Sequence, residues 1–338
     1  MAGPMAKRVA GGLVLLALLA FPLLVTLPHR RHVMIMIFLY AMLATAWNIL
    51  AGYCGQISLG HAIFFGLGAY TSTTLLKHAA ISPWIGMLAG AAVAVVVSQA
   101  IGFPVFRLRG HYFAIATIAL GEIIQTLFIN WDWIGGARGV FVPIRRPDSF
   151  VYFQFNESKQ NYYYIALAML ALALGVTRLL ERSRAGFYFR AIREDQDAAA
   201  SLGINVARFK QIAMGISAGL TALGGTFYAQ YILFIDAESV LSLSLSILIC
   251  LVAVLGGVGT LWGPLLGAAV LVPLSEGTRI LLGGGGKALD LLIYGGLIVL
   301  ISVVQPGGLM ALLRRAMGRA HQLGLGAPSR PRLGHDRP

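Results

Sequence analysis

Long apolar runs recur along this chain from residue 9 to residue 304, and no other feature constrains its fold as strongly. A membrane-crossing helix needs about 20 consecutive, mostly apolar residues. Ten stretches fit: 9–27, 33–51, 58–77, 84–106, 111–130, 161–180, 211–234, 240–258, 264–282 and 288–304. Of these, 58–77 is the most polar and glycine-rich, and the least secure as a straight helix. Hydrophobic residues make up 58% of the 338 and charged residues only 12%, where a soluble domain carries roughly 25% charged. An ordinary water-soluble enzyme and a disordered chain are thereby excluded. The runs do not alternate, as the roughly ten-residue strands of a membrane β-barrel would. The expected fold class is an all-α polytopic membrane protein with about ten transmembrane helices.

The net charge of +13 would suggest a nucleic-acid partner in a soluble protein. In a membrane protein it has a simpler cause, the concentration of Lys and Arg in cytoplasmic loops. Ten crossings place both termini on one side. With that side cytoplasmic, 17 of the 26 Lys and Arg lie inside and 9 outside. The loop 181–210 is then cytoplasmic and the loop 131–160 lies outside. The first run follows Lys7 and Arg8, as in a signal peptide. It extends to Leu27, however, and ends in Pro28-His29-Arg30-Arg31 rather than at a small-residue cleavage site, so residues 1–32 read as an uncleaved N-terminal anchor. Residues 33–305 form the membrane domain. Residues 306–338 form a basic cytoplasmic tail, helical near Leu312. Cys54 and Cys250 lie in or beside apolar runs without metal-ligand spacing and read as small buried residues.

The loop 181–210 is too long for a passive helix–helix connection, typically two to eight residues. Asp195 is placed to cap a short helix, with Asp197 in its first turn where the helix dipole favours negative charge. Gly203, after Leu202, suits the left-handed position that ends a helix. The enclosed stretch Gln196–Leu202 makes about two turns, roughly 10 Å long. Its three alanines give a slim face that fits a cleft on another protein better than it binds lipid.

Within the membrane, Gly52, Gly55, Gly60, Gly66 and Gly68 accompany Gln56, Ser58 and His61. Two readings stand: a bent segment lining a pathway, or close helix packing with satisfied polar groups. His61 has no second His or carboxylate spaced to join it, so a metal site is not expected. Gly256-x-x-Gly259 echoes Gly52-x-x-Gly55, as a faint internal repeat would. Glu122 falls mid-span, where a charge costs at least about 2.5 kcal/mol and usually faces the bundle interior. It is a candidate for the pathway, a gate or an ion pair. Glu276 and Arg279 are spaced to pair on one helix face. Buried carboxylates are otherwise scarce, which favours an external energy source over ion coupling.

Three stretches then carry a resemblance. They are Gly52-Tyr53-Cys54-Gly55-Gln56-Ile57-Ser58-Leu59-Gly60-His61 with Phe64–Tyr70, the loop run Arg184-Ala185-Gly186 through Ala191–Asp195 to Ala199–Asn205, and Val254–Pro264. In this order they resemble the LivM-type permeases of branched-chain amino acid ABC importers, over about residues 33–305. The resemblance implies that Gln196–Leu202 is the coupling helix that docks in a groove of an ATPase subunit. Arg193, Glu194 and Asp195 lead into it, and Ala198, Ala199, Leu202 and Gly203 belong to it. Gln56, Ser58, His61 and Glu122 become candidates for the translocation pathway.

The implied partners are a second homologous permease, two ATPase subunits, a periplasmic solute-binding protein and the lipid of a bacterial inner membrane. The subunit itself would do no covalent chemistry and hold no cofactor or metal. Gly283-Gly284-Gly285-Gly286-Lys287-Ala288 lacks the hydroxyl that follows Lys in a nucleotide-binding loop. The loop 131–160, with Trp131, Trp133 and Gly135–Val140, resembles the family's glycine-rich outer loop but carries Arg138 where a polar or acidic residue is usual. Read without the resemblance, it is a solvated loop with interfacial tryptophans. Two alternatives to branched-chain import remain: import of urea, amides or aromatic acids on the same scaffold, and ion-coupled transport.

Overall fold

The computed structural model describes residues 16–25, 27–144, 148–155, 159–281, 295–296 and 307–313. After helical turns at 16–24 the chain breaks, and α1 (Pro28–Asn48) begins with proline at its first turn. That position suits proline because the N–H it lacks would have had no helical partner. The helix therefore starts earlier than the span expected at 33. Arg31 is no free loop charge: its Nε donates to the Val25 carbonyl at 2.7 Å and its Nη2 to that of Pro22 at 2.8 Å. It thus satisfies carbonyls left open where the preceding turns end.

A π-helical turn, Ile49–Tyr53, follows α1. The chain then leaves helix until α2 (His61–Ala79), so the expected crossing at 58–77 starts with a non-helical lead. Next come α3 (Pro83–Val105) and α4 (His111–Ile129), then short 3-10 turns at Asp132–Ile134 and Gly136–Arg138, and the strand β1 (Val140–Phe141). After α5 (Gln160–Arg182), the loop folds as α6 (Arg184–Glu194) and α7 (Gln196–Ser201) before the long α8 (Val206–Ile232). β2 (Phe234–Ile235) pairs antiparallel with β1, and α9 (Ala237–Val240), α10 (Leu243–Gly256) and α11 (Gly263–Leu281) complete the described bundle.

Side chains mark several helix starts. Ser82, Ser183, Asn205, Asp236 and Ser242 each accept a backbone N–H from the first turn of the helix that follows.

α1 runs through the middle of the core and is buried from Ile35 to Asn48 except at Tyr40, packing on α5, α10 and α11. α8 packs on α2 and α3. The α2–α8 crossing is made by glycine on both sides. A Cβ on Gly68 would collide with the Ala222 carbonyl, and one on Gly225 with the Phe65 carbonyl. Membrane helices use small residues in this way to bring backbones together. Packing thus accounts for Gly68, and for Gly66, which lies against Leu241.

Six of the described helical segments are long and apolar enough to cross a membrane: Pro28–Tyr53, Pro83–Val105, His111–Ile129, Gln160–Arg182, Val206–Ile232 and Ala237–Gly256. The protein is an all-α, multi-pass membrane protein. α2 is not among these six, and the apolar stretch of α11 spans only Gly263–Gly277. The expected crossing at 288–304 falls outside the described residues apart from 295–296, as does most of the tail. Within the tail, residues 308–313 are helical, with Gly308 packed on the backbone of Gly257. The Arg279 side chain and Asp290 are likewise outside what is described. Glu276 lies 4.0 Å from His32 of α1. Cys54 is buried, Cys250 is partly so, and both are free thiols.

Candidate functional site

The three motif stretches, far apart in sequence, meet at one end of the bundle. α6 starts on Ser183, whose Oγ accepts the Gly186 N–H at 3.3 Å. It ends where Asp195 turns extended, with φ −156°. Asp195 Oδ1 then accepts the N–H groups of Asp197 at 2.8 Å and Ala198 at 3.0 Å, the cap expected for α7. These bonds to Ala198 and Asp197, with the nearby Arg109 guanidinium, hold its carboxyl below the usual carboxylate range.

At the other end Gly203 is left-handed, with φ +83°. Its N–H reaches the Ala200 carbonyl at 2.9 Å, and the Ile204 N–H reaches that of Ala199 at 3.1 Å. This pair of bonds is a Schellman ending. A Cβ at Gly203 would meet nothing within 4 Å, so glycine is required there for conformation and not for space.

α7 buries Ala199 and presents Ala198 and Ala200 outward, with Leu202 just beyond. Leu202 is 82% exposed, the most exposed large hydrophobic side chain among the described residues. The helix is tied sideways at two points. Arg109, between α3 and α4, pairs with Asp197 at 2.9 Å, which raises the Arg109 pKa. Lys210 of α8, 2% exposed, donates to Gln196 Oε1 at 2.7 Å and lies 5.8 Å from the centre of the Phe106 ring.

Arg193 joins this loop to the membrane segments. Its Nη1 donates to the Gly52 carbonyl at 2.7 Å, and its backbone packs on Gly55. A Cβ on Gly259 would collide with the same guanidinium. Asn48 closes the junction from α1: its Oδ1 accepts the Gly259 N–H at 2.8 Å and its Nδ2 donates to the Thr260 carbonyl at 3.0 Å. The two Gly-x-x-Gly runs are therefore neighbours, and Gly52 has no room for a Cβ beside Asn48 and the Gly259 nitrogen. Nearby, Tyr53 donates to Glu181 at 2.7 Å, and Glu181 also pairs with Arg178 at 3.0 Å. Asn48, Glu181, Arg109 and Lys210 were not singled out from the sequence. An Asn inside an apolar run four residues before Gly52 was the available signal. Glu194 is exposed at the end of α6.

The candidate pathway residues separate into two groups. Gln56, Ser58 and His61 are buried. The Gln56 amide nitrogen donates to the Cys54 carbonyl at 3.3 Å, and Trp47 donates to the Ser58 carbonyl at 2.7 Å. Ser217 donates to the Ala46 carbonyl at 2.6 Å, so it accepts from His61 Nε2 at 2.8 Å. His61 Nδ1 has no partner among the described residues. Glu122 is not with them. It sits on the exposed side of α4, contrary to the expectation that it faces the interior, because only Phe113 and Thr117 of that helix are buried. Beside it is a shallow groove, with essentially no enclosed volume, whose walls include Leu59, Ile63, Leu241 and Ser246. Among the described residues no cluster of three or more metal-ligating side chains occurs.

β1 of the loop 131–160 pairs with β2, with Val140 opposite Ile235. Trp131 and Trp133 are exposed, and Trp133 stacks on His78 at 5.0 Å.

Comparison with known proteins gives this geometry a family. Residues 31–302 match the model described as branched-chain amino acid transport system / permease component. The permease protein LivM of Salmonella typhimurium is 31% identical over 301 residues, covering 82% of this chain and 69% of that protein. BraD of Pseudomonas aeruginosa is 27% identical, over 80% of this chain and 91% of its own. LivH of Escherichia coli is 25% identical over the same shares. All three are named high-affinity branched-chain amino acid transport system permease proteins. No solved structure matches. The chain belongs to the family of permease components of branched-chain amino acid transport systems.

Proposed function

We propose that this chain is a permease subunit of an ATP-driven importer of branched-chain or related amino acids, in a bacterial inner membrane. It crosses about ten times, with both termini in the cytoplasm. It pairs with a second, homologous permease, with two ATPase subunits and with a periplasmic solute-binding protein that docks on the 131–160 side. The likeness to both LivM and LivH, two differently named permeases of Escherichia coli, supports a paired arrangement. ATP is hydrolysed by the partners.

One observation carries the coupling part of this reading. α7 is a short rod capped at both ends, with an exposed Leu202 at its tip and Arg193 keying its lead-in to the Gly52 and Gly259 junction. Ala198, Ala200 and Leu202 enter the ATPase groove, while Ala199 holds the rod against the bundle. Asp195 and Gly203 keep its ends wound, and Glu194 lies exposed beside the groove. When the ATPases close, the rod moves and the junction passes the movement to α1, α2 and α10. Such docking is a rigid-body switch between discrete packings. In this arrangement Gln56, Ser58 and His61 shape the pathway from behind, and Glu122 faces it.

The test is a Leu202→Cys variant in the assembled transporter. It should cross-link to an ATPase subunit and react with an impermeant maleimide only from the cytoplasmic side. Labelling from outside, or leucine uptake that persists without ATP, overturns the reading.

A further inference from the structure

We propose that the elbow between α5 and α6 binds the phosphate headgroup of an anionic phospholipid, with Arg182, Arg184 and Arg190 as its cations and Phe187 resting in the membrane interface. The site needs only that α5 crosses a membrane, and it stands whether or not the subunit is driven by ATP.

α5 has 23 residues, about 34 Å at 1.5 Å per residue, slightly longer than a hydrocarbon core of about 30 Å. Its exposed side runs through Ala168, Leu172, Gly175, Leu179 and Arg182, three or four residues apart, which is the spacing of one helix face. Leu172 is 50% exposed and Leu179 72%. Such a face on a membrane crossing meets acyl chains, and Arg182 stands at headgroup depth where the face ends.

α6 turns away from α5 at once. Gly186 lies against the Leu180 carbonyl, where a Cβ would collide, so the first turn of α6 is held beside the end of α5. Three aromatic residues follow in a row and point apart. Phe189 is buried, Tyr188 packs on Phe209 of α8 at 4.7 Å, and Phe187 is 62% exposed. A helix side facing water alone gains nothing from that ring. Arg184 and Arg190, both exposed, lie three residues to either side of Phe187 and share its face. The Arg190 guanidinium is 5.6 Å from the centre of the Phe187 ring. Its Nη2 donates to the Glu181 carbonyl at 2.9 Å, which brings it over the last turn of α5. Long cations around an exposed apolar side chain suit a headgroup layer, where the stems lie on apolar surface and the charged heads meet phosphate.

Charge selects the headgroup. The Glu181 carboxylate is already engaged by Tyr53 at 2.7 Å and Arg178 at 3.0 Å. Among the described residues no carboxylate pairs with Arg182, Arg184 or Arg190. Three guanidinium groups, each able to fork two donors onto phosphate oxygens, favour a lipid of net negative charge. A zwitterionic lipid would bring its own ammonium against them. The ATPase contact at Leu202 lies beyond the far end of the 11-residue α6, which leaves the elbow to the bilayer. A lipid held there fixes the base from which α7 projects.

The experiment uses the complete transporter in nanodiscs of phosphatidylcholine with a minority of phosphatidylglycerol. Phe187→benzoylphenylalanine supplies a photo-cross-linker, and mass spectrometry identifies what it captures. Phosphatidylglycerol should be captured about fivefold or more above its share of the bilayer, the factor that one arginine contributes near an anionic surface. Arg182→Gln with Arg190→Gln should bring capture back near that share, and the corresponding pair of Lys variants should keep most of the excess. Inorganic phosphate should leave the excess unchanged relative to chloride of equal ionic strength. Capture in simple proportion to the bilayer overturns the proposal, and that comparison keeps all three arginines in place. So does an excess that survives both Gln changes, or a cross-link to an ATPase or the second permease in place of lipid. Loss of the excess in phosphate but not in chloride would make this a site for a free anion and overturn it equally. Failure of the importer reading would appear separately, as uptake that does not need ATP.

Discussion

The two ends of the bundle are built on different principles. At the α6–α7 end, glycines remove side chains and polar groups bond directly to backbone: Arg193 to Gly52, Asn48 to Gly259 and Thr260, Asp195 to the first turn of α7. At the opposite end, aromatic rings do most of the joining. Trp84 stacks on Phe153 at 4.4 Å and on Phe150 at 5.3 Å, and its indole nitrogen donates to the Phe150 carbonyl at 2.7 Å. Tyr162 donates to the Gln230 carbonyl at 3.0 Å and meets Phe155 edge-on. Ring contacts stabilise through buried area and tolerate small shifts. Hydrogen bonds to particular carbonyls hold one register and are costly to leave unmade. The first end is suited to discrete repositioning, the second to holding the helices together.

The sharpest way to break that contrast is to damage each end and ask what is lost. Trp84→Ala should cost about 3 kcal/mol, as large aromatic truncations do, and lower the thermal midpoint of the detergent-purified protein. Uptake per folded molecule should stay near normal. Gly52→Val should do the reverse. Its added carbons meet Asn48 and the Gly259 backbone, overpacking that costs roughly 1–3 kcal/mol, yet transport should fall to background. Fluorescence-detected size exclusion together with uptake separates the two. If Gly52→Val transports normally, the junction is only packing.

Arg193→Ala refines the same point with a milder change. It leaves the Gly52 carbonyl without its donor, a loss of about 1.5–3 kcal/mol for a bond to a charged group. Uptake should fall about tenfold or more, while ATP hydrolysis by the complex persists. Arg193→Lys should restore little, because an ammonium on a flexible stem does not reproduce the planar donor geometry. Gly203→Ala comes next, at about 1–2 kcal/mol for a non-glycine residue held left-handed. Gly203→Asn should cost less, and the order Gly, Asn, Ala should appear in uptake.

The contrast also separates what was legible in the chain from what was not. Six of the expected crossings were legible because apolar runs of that length have one use in water-bounded lipid. The α7 rod was legible because capping is local: Asp195 and Gly203 lie within a few residues of the groups they satisfy. The Arg193–Gly52 bond was not. The two residues are 141 positions apart, and a backbone carbonyl carries no residue-type signature. The glycine runs stood out as motifs, but their adjacency depends on Asn48, a single polar residue in an apolar run. Glu122 was legible as costly, but its exposure on α4 was not, because sequence shows depth along a helix better than which side is covered. Arg31, which follows the first apolar run, reaches back onto carbonyls of the preceding turns, as long cationic side chains near helix ends can.

The smallest expected effect tests the cap of α7 alone. The Asp195 carboxyl is held below its ordinary range by the Ala198 and Asp197 N–H groups and by Arg109. A carboxylate with a depressed folded pKa contributes its stabilisation above the unfolded value, about 3.9. The contribution is lost as pH falls through the lower, folded value. Hydrogen exchange of a peptide covering 195–203, normalised to intrinsic rates, should therefore show protection that is flat from pH 7 to pH 5 and declines below about 3.9. Asp195→Asn keeps a good capping side chain without a titrating proton, so its protection should lose the acid step. Asp195→Ala should be weakly protected throughout. Equal acid profiles for Asp and Asn would mean that the rod is held by Lys210 and Arg109 from the side rather than wound from its end.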